Sequence, residues 1–187
     1  MPPPWGGTGP RSARLAASPF QDAMLQSLLP VYYVQLSPAE VSVLNVKSDV
    51  RVRDLPEVAL SLGAKRSVLA VGRAARQAAA QSGGLWANPF GHPRSLVSDF
   101  VLAGAVLKHF VIQAAPAGWR RLVAPSPRMV IHPLGDPEGG YTQVEIRALR
   151  ELGVAAGAAH VTVWQGRSLT REELQSGAFP AEGRVLL

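Results

Sequence analysis

In this 187-residue chain, the residue types and spacings that could support chemistry are concentrated after one short apolar run. A glycine-rich loop reads G-D-P-E-G-G over residues 135–140, and Thr142 and Glu145 follow it. Glycine-rich loops ahead of a helix often bind phosphate, because their backbone amides converge on the anion. Asp136 and Glu138 place two carboxylates in this loop, and these would repel a phosphate. We therefore interpret residues 135–140 as a turn with an acidic tip.

Thr142 and Glu145 have the spacing of a capping box, in which a hydroxyl and a carboxylate accept hydrogen bonds from the free amides at a helix start. The residues that follow place apolar side chains on one helical face. Apolar runs at residues 128–132 and 160–164 flank this helix and predict two buried strands. A strand, a helix and a strand in so short a span predict a β-α-β crossover in a parallel sheet.

Other residue types that are common at active sites lack the necessary context. The chain has no cysteine, which excludes disulfides, thiolate metal sites and a thiol nucleophile. The serines show no nucleophile-elbow motif. The four histidines do not pair at the spacing of metal ligands, so no metal site is predicted. They are His92, His109, His132 and His160.

Composition predicts one globular domain. Hydrophobic residues make up 47% of the chain and charged residues 17%, which is enough apolar material for a core. The net charge is +6, but the basic residues are scattered singly or in pairs such as Lys65-Arg66. Nucleic-acid binding is therefore not predicted, because it calls for a continuous basic patch. No apolar run reaches the roughly 20 residues that span a bilayer.

The N-terminal 18 residues are rich in Pro, Gly and Ser and predict disorder. Residues 20–29 instead place apolar side chains on one face of a short helix that ends at Pro30. Two interpretations stay open: a helix that docks on the domain, or a weak membrane-surface anchor whose polar face lacks the usual cations. The apolar residues are Phe20, Met24, Leu25, Leu28 and Leu29.

The strands that precede the crossover are predicted from apolar runs. Residues 31–46 read as two strands separated at Ser37-Pro38, because proline is excluded from a central ladder. Residues 57–60 read as a third strand, and the run at 67–71 leads into a helix at Gly72. Together with the crossover, this predicts the α/β class, with a mixed five-stranded sheet and helices on its faces.

The remaining segments are predicted to be helices and loops. A long, mostly apolar helix covers residues 99–114, and the prolines of residues 86–94 indicate a loop. Thr170 and Glu173 form a second capping box for a short helix, after which a polar tail is predicted. Trp86 and Trp119 lie in predicted loops, where we expect them to be exposed and to favour a protein partner.

Several strings resemble, in order and spacing, the MreB and Mbl family of bacterial actins, which determine rod shape and belong to the actin and Hsp70 ATPase superfamily. They are S-V-L-A-V-G-R-A-A-R-Q from Ser67, L-V-S-D-F from Leu96, P-S-P-R-M-V from Pro125 and T-Q-V-E-I-R-A-L-R-E from Thr142. The resemblance runs from about Leu25 to Gln165. It implies the ribonuclease H-like N-terminal ATPase subdomain of an actin-like protein that is truncated and divergent.

The resemblance also implies a domain organisation. Residues 24–187 would form a single actin-like domain, and the second domain of the family would be absent. Residues 1–23 would be a disordered extension that arises from a misplaced start, with translation beginning at Met24. A missing second half should leave apolar surface that a complete fold would cover.

The family's first phosphate-binding loop, D-L-G-T-A-N-T, falls on residues 35–41 of this chain. Gln35 replaces the acidic residue that organises the water shell of the metal, and Pro38 has no amide to donate. Each change removes or opposes a donor that an anion site needs. No cofactor is therefore expected; ATP and Mg²⁺ would bind only if the resemblance outweighs these losses. The degenerate phosphate-loop positions are Ser37, Ala39 and Glu40.

Glu145 matches the family's helix glutamate, which positions the attacking water for ATP hydrolysis. The capping box with Thr142 explains the same residue without catalysis. We favour the structural role, because phosphoryl transfer needs a phosphate cradle and a metal.

Three functions follow from the resemblance. The first is an ATPase-deficient cell-shape protein that is cytoplasmic or peripheral at the inner membrane and pairs with itself or with a full-length MreB-like protein. The second is a nucleotide-binding half-domain that another chain completes, with Glu145 active as an ATPase residue. The third is a decaying paralogue without a function of its own.

Overall fold

A computed structural model describes residues 29–92, 95–116, 126–135, 137 and 139–186. The predicted amphipathic segment lies outside the described residues, apart from Leu29. Trp119 and the pair Arg120-Arg121 also lie outside them.

The main sheet has six strands in the order β3-β2-β1-β7-β8-β9. Strands β1, β2 and β3 form an antiparallel meander, β7 and β8 run parallel to β1, and β9 returns antiparallel to β8. This is the mixed α/β sheet that the sequence predicts. Its strands are β1 (Val31–Leu36), β2 (Val41–Asn45), β3 (Val50–Asp54), β7 (Arg128–Pro133), β8 (His160–Gln165) and β9 (Arg184–Leu186).

A second, three-stranded antiparallel sheet has the order β5-β4-β6. Its strands are β4 (Val58–Leu60), β5 (Val68–Val71) and β6 (Leu85–Ala87). Helix α1 (Ala75–Ser82) packs on this sheet through a small cluster of alanines. The helix ends at Gly83, whose φ of +64° is the left-handed conformation that glycine adopts without strain. We call residues 58–87 the small module.

Three further helices pack on the main sheet, and each begins at a side-chain cap. Asp99 accepts a hydrogen bond from the Leu102 amide at the start of α2, and Thr142 and Thr170 each belong to a complete capping box at the starts of α3 and α4. Both predicted capping boxes are therefore confirmed. The helices are α2 (Phe100–Ala114), α3 (Gln143–Ala155) and α4 (Arg171–Ser176).

The strand assignment differs from the prediction in three places. The third strand of the meander is β3, because residues 57–60 belong mainly to the small module as β4. The predicted loop at 86–94 begins inside β6, and the predicted polar tail contains β9, which gives the main sheet a sixth strand. An edge strand such as β3 pairs with a neighbour on one side only and tolerates charged residues. The run V-R-V-R-D is therefore only weakly predicted as a strand from the sequence.

The two faces of the main sheet have separate cores. On one face, the apolar residues of β1, β2 and β7 pack against α2 and α3. Gly153 lets α3 approach the sheet closely, since a Cβ atom there would lie 2.6 Å from Cγ2 of Val161. On the other face, residues 166–186, which we call the returning segment, fold back over the sheet after β8. Leu169 and Leu174 of this segment are buried with Tyr33.

Trp164 anchors this returning segment. Its side chain is 1% exposed, stacks on Phe179 with ring centroids 5.4 Å apart, and donates from Nε1 to the Arg167 carbonyl at 2.8 Å. The second face of the sheet is thus covered by the chain itself, and the apolar surface expected from a missing second half does not lie there.

We expect Trp164→Ala to lower the free energy of unfolding by about 3–5 kcal/mol, because it empties the centre of the second core. Trp86→Ala is the matched control: Trp86 is 49% exposed, as predicted, and its loss should cost less than about 1 kcal/mol. Urea unfolding followed by circular dichroism measures both values. Equal losses would contradict the packing role of the returning segment.

Candidate functional site

The residues that the resemblance assigns to nucleotide chemistry lie at one edge of the main sheet. Strands β1 and β7 are parallel and end together, with Leu36 paired to Pro133. The turn at residues 37–40 leaves the end of β1, and the loop that leads to α3 and Glu145 leaves the end of β7. The carboxyl edge of parallel strands is where open α/β sheets bind ligands. The fold therefore places both sets of predicted residues at the same edge.

The turn at residues 37–40 is closed by its own hydrogen bonds. The Ser37 amide donates to the Glu40 carbonyl at 2.9 Å, and the Glu40 amide donates to the Ser37 hydroxyl at 2.9 Å. Pro38 has no backbone N–H. Within the turn, these bonds therefore leave only the Ala39 N–H unused. Anion sites need several convergent N–H groups. This turn cannot supply them in the conformation that it adopts.

The outer groups of the turn are also occupied. The Glu40 carboxylate forms an ion pair with Arg53, with 3.2 Å between Oε1 and Nε. The Pro38 carbonyl accepts a hydrogen bond from Nδ2 of Asn88 at 2.8 Å, which ties the turn to the end of the small module. The outer surface of the turn therefore consists of a carboxylate and carbonyl oxygens, already bonded to a cation and an amide donor. Such groups do not bind a polyanion.

Gln35 stands where the resemblance places an acidic residue. Its Nε2 donates to the Ser168 hydroxyl at 3.1 Å. Ser168 belongs to the segment that returns over the second face of the sheet. Gln35 thus contacts the returning segment, which sequence reasoning did not anticipate.

Glu145 occupies the first turn of α3 and completes its capping box. Its Oε2 accepts from the Thr142 amide at 3.0 Å and from the Thr142 hydroxyl at 2.8 Å. The side chain also borders a groove of about 220 Å³ formed with the start of α2. The structural role of Glu145 is therefore present in the fold, while its catalytic role stays a prediction.

The sequence matches no protein-family model and no curated protein. The fold, in contrast, is similar to that of MreB5 of Spiroplasma citri bound to AMPPNP, with a TM-score of 0.55 and 18% identity over 73% of this chain and 38% of that chain. MreB5 bound to ADP gives the same values. A non-polymerising MamK mutant bound to AMPPNP gives 0.54 and 14% identity over 71% of this chain and 39% of that chain. The chain has a bacterial actin-like fold.

The actin-like sheet of this chain carries a buried histidine that the sequence did not single out. His132 is 4% exposed, its Nε2 lies 3.0 Å from the Gly166 carbonyl, and its Nδ1 lies 2.6 Å from the Tyr33 hydroxyl. Because a carbonyl only accepts, Nε2 carries the proton, and Nδ1 accepts from Tyr33. The Tyr33 oxygen also accepts from the Leu169 amide at 3.3 Å. This network joins β1, β7 and the returning segment.

Burial sets the protonation of this network. Desolvation lowers the pKa of His132 from its ordinary value, against a smaller opposite effect of the Gly166 carbonyl. Desolvation likewise raises the pKa of Tyr33. Both groups are therefore neutral near pH 7 and act as structural hydrogen-bonding partners.

A cleft of about 820 Å³ adjoins His132 at the carboxyl edge of β7 and β8. Residues 181–184 of the returning segment form its far wall, where Arg184 donates from Nε to Oε1 of Gln165 at 3.0 Å. Part of the cleft lining therefore comes from the returning segment, which lies beyond Gln165, where the resemblance to the bacterial actin family ends. Among the described residues, no group of three metal-ligating side chains is assembled at this edge or elsewhere.

We expect Thr142→Ala and Glu145→Ala each to lower the free energy of unfolding by about 1 kcal/mol, because either change breaks the capping box. The double variant should lower the free energy of unfolding by less than the sum of the two single effects, because both residues take part in the same hydrogen bonds. Gln143→Ala, at the exposed next position, should stay within about 0.5 kcal/mol. Chemical denaturation of the four variants tests this, and full additivity would contradict it.

We expect His132 to make stability depend on pH. The folded pKa of His132 is lowered, so below about pH 6.5 the unfolded chain binds a proton that the folded chain does not. The stabilising effect of neutral His132 is complete above that pH and is lost as the pH falls. Thermal unfolding between pH 5.5 and 8 should therefore show a steeper acid decline for the unmodified chain than for His132→Gln. Parallel curves would show that His132 does not titrate in this way.

Proposed function

We propose that this chain is an actin-like cytoskeletal protein of the cell-shape type, which assembles with copies of itself or with a full-length MreB-like protein and does not hydrolyse ATP. The fold supports the first part, because it is shared with MreB5 and MamK. The MamK structure is that of a non-polymerising mutant, which indicates that assembly is a property of that protein. The chain spans less than two fifths of the length of either relative, so assembly and shape determination are proposals for it.

The closed turn at residues 37–40 is the observation that supports the lack of ATP hydrolysis. Phosphoryl transfer depends on donors and a metal that hold the phosphates in place. The Ser37 and Glu40 amides are already bonded within the turn, and the Glu40 carboxylate faces the same region. Opening the turn to bind phosphate would cost these bonds and would bring a carboxylate next to an anion. Neither ATP nor Mg²⁺ is therefore part of the proposal.

One observation favours the enzymatic alternative. Glu145 lies at the same sheet edge as the turn, which is where a water-positioning residue would be needed. A second chain would then have to contribute the whole phosphate cradle and the metal. The carboxylate of Glu145 already serves the helix start, so we place this function second.

We propose a cytoplasmic protein, with a further position at the inner face of the membrane if residues 20–29 bind there. The apolar residues of that segment supply the reason. Among the described helices, none has the length and apolar character to cross a bilayer.

A sedimentation assay with and without Mg²⁺ and ATP tests the proposal. We expect the purified chain to sediment above a threshold concentration to the same extent in both conditions, and to release no phosphate from ATP. The same should hold for Glu145→Ala. Assembly that needs ATP, or phosphate release that Glu145→Ala abolishes, would favour the enzymatic alternative. A chain that neither self-associates nor sediments with a full-length MreB-like protein would contradict the cytoskeletal function.

A further inference from the structure

The cleft of about 820 Å³ at the carboxyl edge of β7 and β8 has the volume of a small-molecule site, since such sites usually enclose about 300–1,000 Å³. Gly166 and Gly183 form part of its lining. A Cβ atom at Gly166 would lie 2.7 Å from Cζ2 of Trp164, and a Cβ atom at Gly183 would overlap the same ring. Only glycine lets the backbone lie this close to Trp164, so these two positions add no side chain to the cleft.

Arg184 brings a guanidinium group to this cleft. It is the first residue of β9, and its Nε donates to Oε1 of Gln165 at 3.0 Å. Its Nη2 lies beside the backbone of Gly140, where a Cβ atom would be only 3.2 Å away. Within the described residues, none of the salt bridges involves Arg184. The Nη groups of Arg184 therefore remain as hydrogen-bond donors for an anion in the cleft.

Most of the remaining lining carries no charge. Pro133, Leu134 and Ala181 contribute aliphatic groups, and Leu134 is 37% exposed. His132 is neutral near pH 7, and its Nε2–H is bonded to a backbone carbonyl, so it does not offer a donor to a ligand. A ligand with an apolar body can therefore contact aliphatic groups in the cleft while its charged group contacts Arg184.

Glu182 supplies the one carboxylate among the described residues that line the cleft. Its side chain is 73% exposed, and its Oε2 lies 3.9 Å from Nε of Arg167. Arg167 is bonded more closely to Glu173, with 3.0 Å between Nη1 and Oε2. The Glu182 carboxylate is therefore only weakly compensated and lowers the positive potential of the cleft. With one guanidinium and one carboxylate, the cleft suits an anion of a single charge better than a polyanion.

We propose that the cleft binds a small organic monocarboxylate, with the carboxylate group on the Arg184 guanidinium and the apolar body against Pro133 and Leu134. The two oxygens of a carboxylate match the parallel N–H groups of a guanidinium, and such charge-assisted hydrogen bonds are about twice as strong as neutral ones. The apolar body of the ligand leaves water on binding, which adds free energy in proportion to the apolar area buried.

A phosphate ligand fits the cleft less well. A phosphate monoester carries about 1.5–2 negative charges near pH 7, whereas Arg184 neutralises one. The remaining charge would face Glu182, and like charges repel each other. A nucleoside triphosphate carries more negative charge and would meet the same repulsion more strongly.

This inference does not rest on the proposed cytoskeletal function. Arg184 and Glu182 lie beyond Gln165, where the resemblance to the bacterial actins ends. A chain that does not assemble could still bind a carboxylate, and a chain that assembles need not bind one. Sedimentation tests the first property and ligand titration tests the second, so the two proposals can fail separately.

Titration of the purified full chain with hexanoate, followed by calorimetry and by NMR, tests the inference. We expect hexanoate to bind and to shift the NMR signal of the Arg184 Nε–H group, which the Arg184→Gln variant identifies by its absence. Hexanol has the same apolar body without the charge. It should bind about 30-fold more weakly, because it cannot form the charge-assisted hydrogen bonds.

Three variants at the cleft test the two parts of the site. Arg184→Gln should weaken hexanoate binding about 30-fold, because a hydrogen bond to a charged group is lost. Arg184→Lys should restore part of this loss, since it keeps the charge but not the paired N–H groups. Leu134→Ser should weaken hexanoate binding about tenfold through the loss of apolar contact.

Matched controls outside the cleft separate the site from general effects of charge and hydrophobicity. Arg150→Gln removes an exposed guanidinium from α3, and Val144→Ser alters an aliphatic side chain that is 78% exposed on the same helix. We expect both variants to bind hexanoate like the unmodified chain, with circular dichroism confirming the fold of every variant. An equal loss of binding in the control variants would overturn the proposal. So would a hexanoate titration that leaves the Arg184 signal unchanged.

Ligand selectivity tests the role of Glu182. Hexyl phosphate should bind more weakly than hexanoate, and Glu182→Gln should narrow this difference, because it removes the repelling carboxylate. Tighter binding of hexyl phosphate than of hexanoate to the unmodified chain would identify a phosphate site and overturn the proposal.

Two further outcomes would also overturn it. In the first, Mg²⁺ and ATP displace hexanoate, which would assign the cleft to a nucleotide. In the second, hexanoate binds only after Asp136→Asn and Glu138→Gln. That result would show that carboxylates of the loop at residues 135–140 occupy the Arg184 guanidinium in place of a ligand.

Discussion

The position of β1 between β2 and β7 is the constraint on which the rest of the structure depends. β1 is antiparallel to β2 and parallel to β7, and its residues are buried almost throughout. A parallel neighbour requires a crossover connection, and it brings the ends of β1 and β7 to one edge. The turn at residues 37–40 and the loop that leads to α3 therefore leave the sheet at the same edge whatever their side chains are. The chain therefore keeps this edge of the actin-like fold.

The turn at residues 37–40 is stabilised by hydrogen bonds within the chain. A phosphate loop leaves its amides free for a ligand, whereas this turn bonds the Ser37 and Glu40 amides internally. The turn also bonds to Asn88, so it connects the main sheet to the small module. The returning segment covers the second sheet face, and the Tyr33–His132 network holds that segment in place. Hydrogen bonds within the chain thus hold both the turn and the segment after β8 in place.

The distribution of the net charge of +6 is visible only in the fold. Along the sequence the basic residues appear scattered, and no patch is evident. In the fold, Arg73 and Arg76 turn towards carboxylates of the preceding segment, while Lys65 and Arg66 remain at the outer end of the small module. Residues 58–98 contain no acidic side chain, so the outer end of the module keeps its positive charge.

The sequence by itself determined the elements whose signals are local. The Thr142-Glu145 and Thr170-Glu173 spacings located two helix starts, and the apolar runs located β1, β2, β7 and β8, because caps and buried strands are set by near neighbours. Tertiary structure alone decided the rest. Strands β3, β6 and β9 are short edge strands that exist only through their pairing, and the burial of His132 depends on Tyr33 and Gly166, which are distant in sequence. The sequence predicted that the turn at residues 37–40 lacks donors for an anion. The hydrogen bonds that close the turn follow from the backbone conformation that the hairpin imposes.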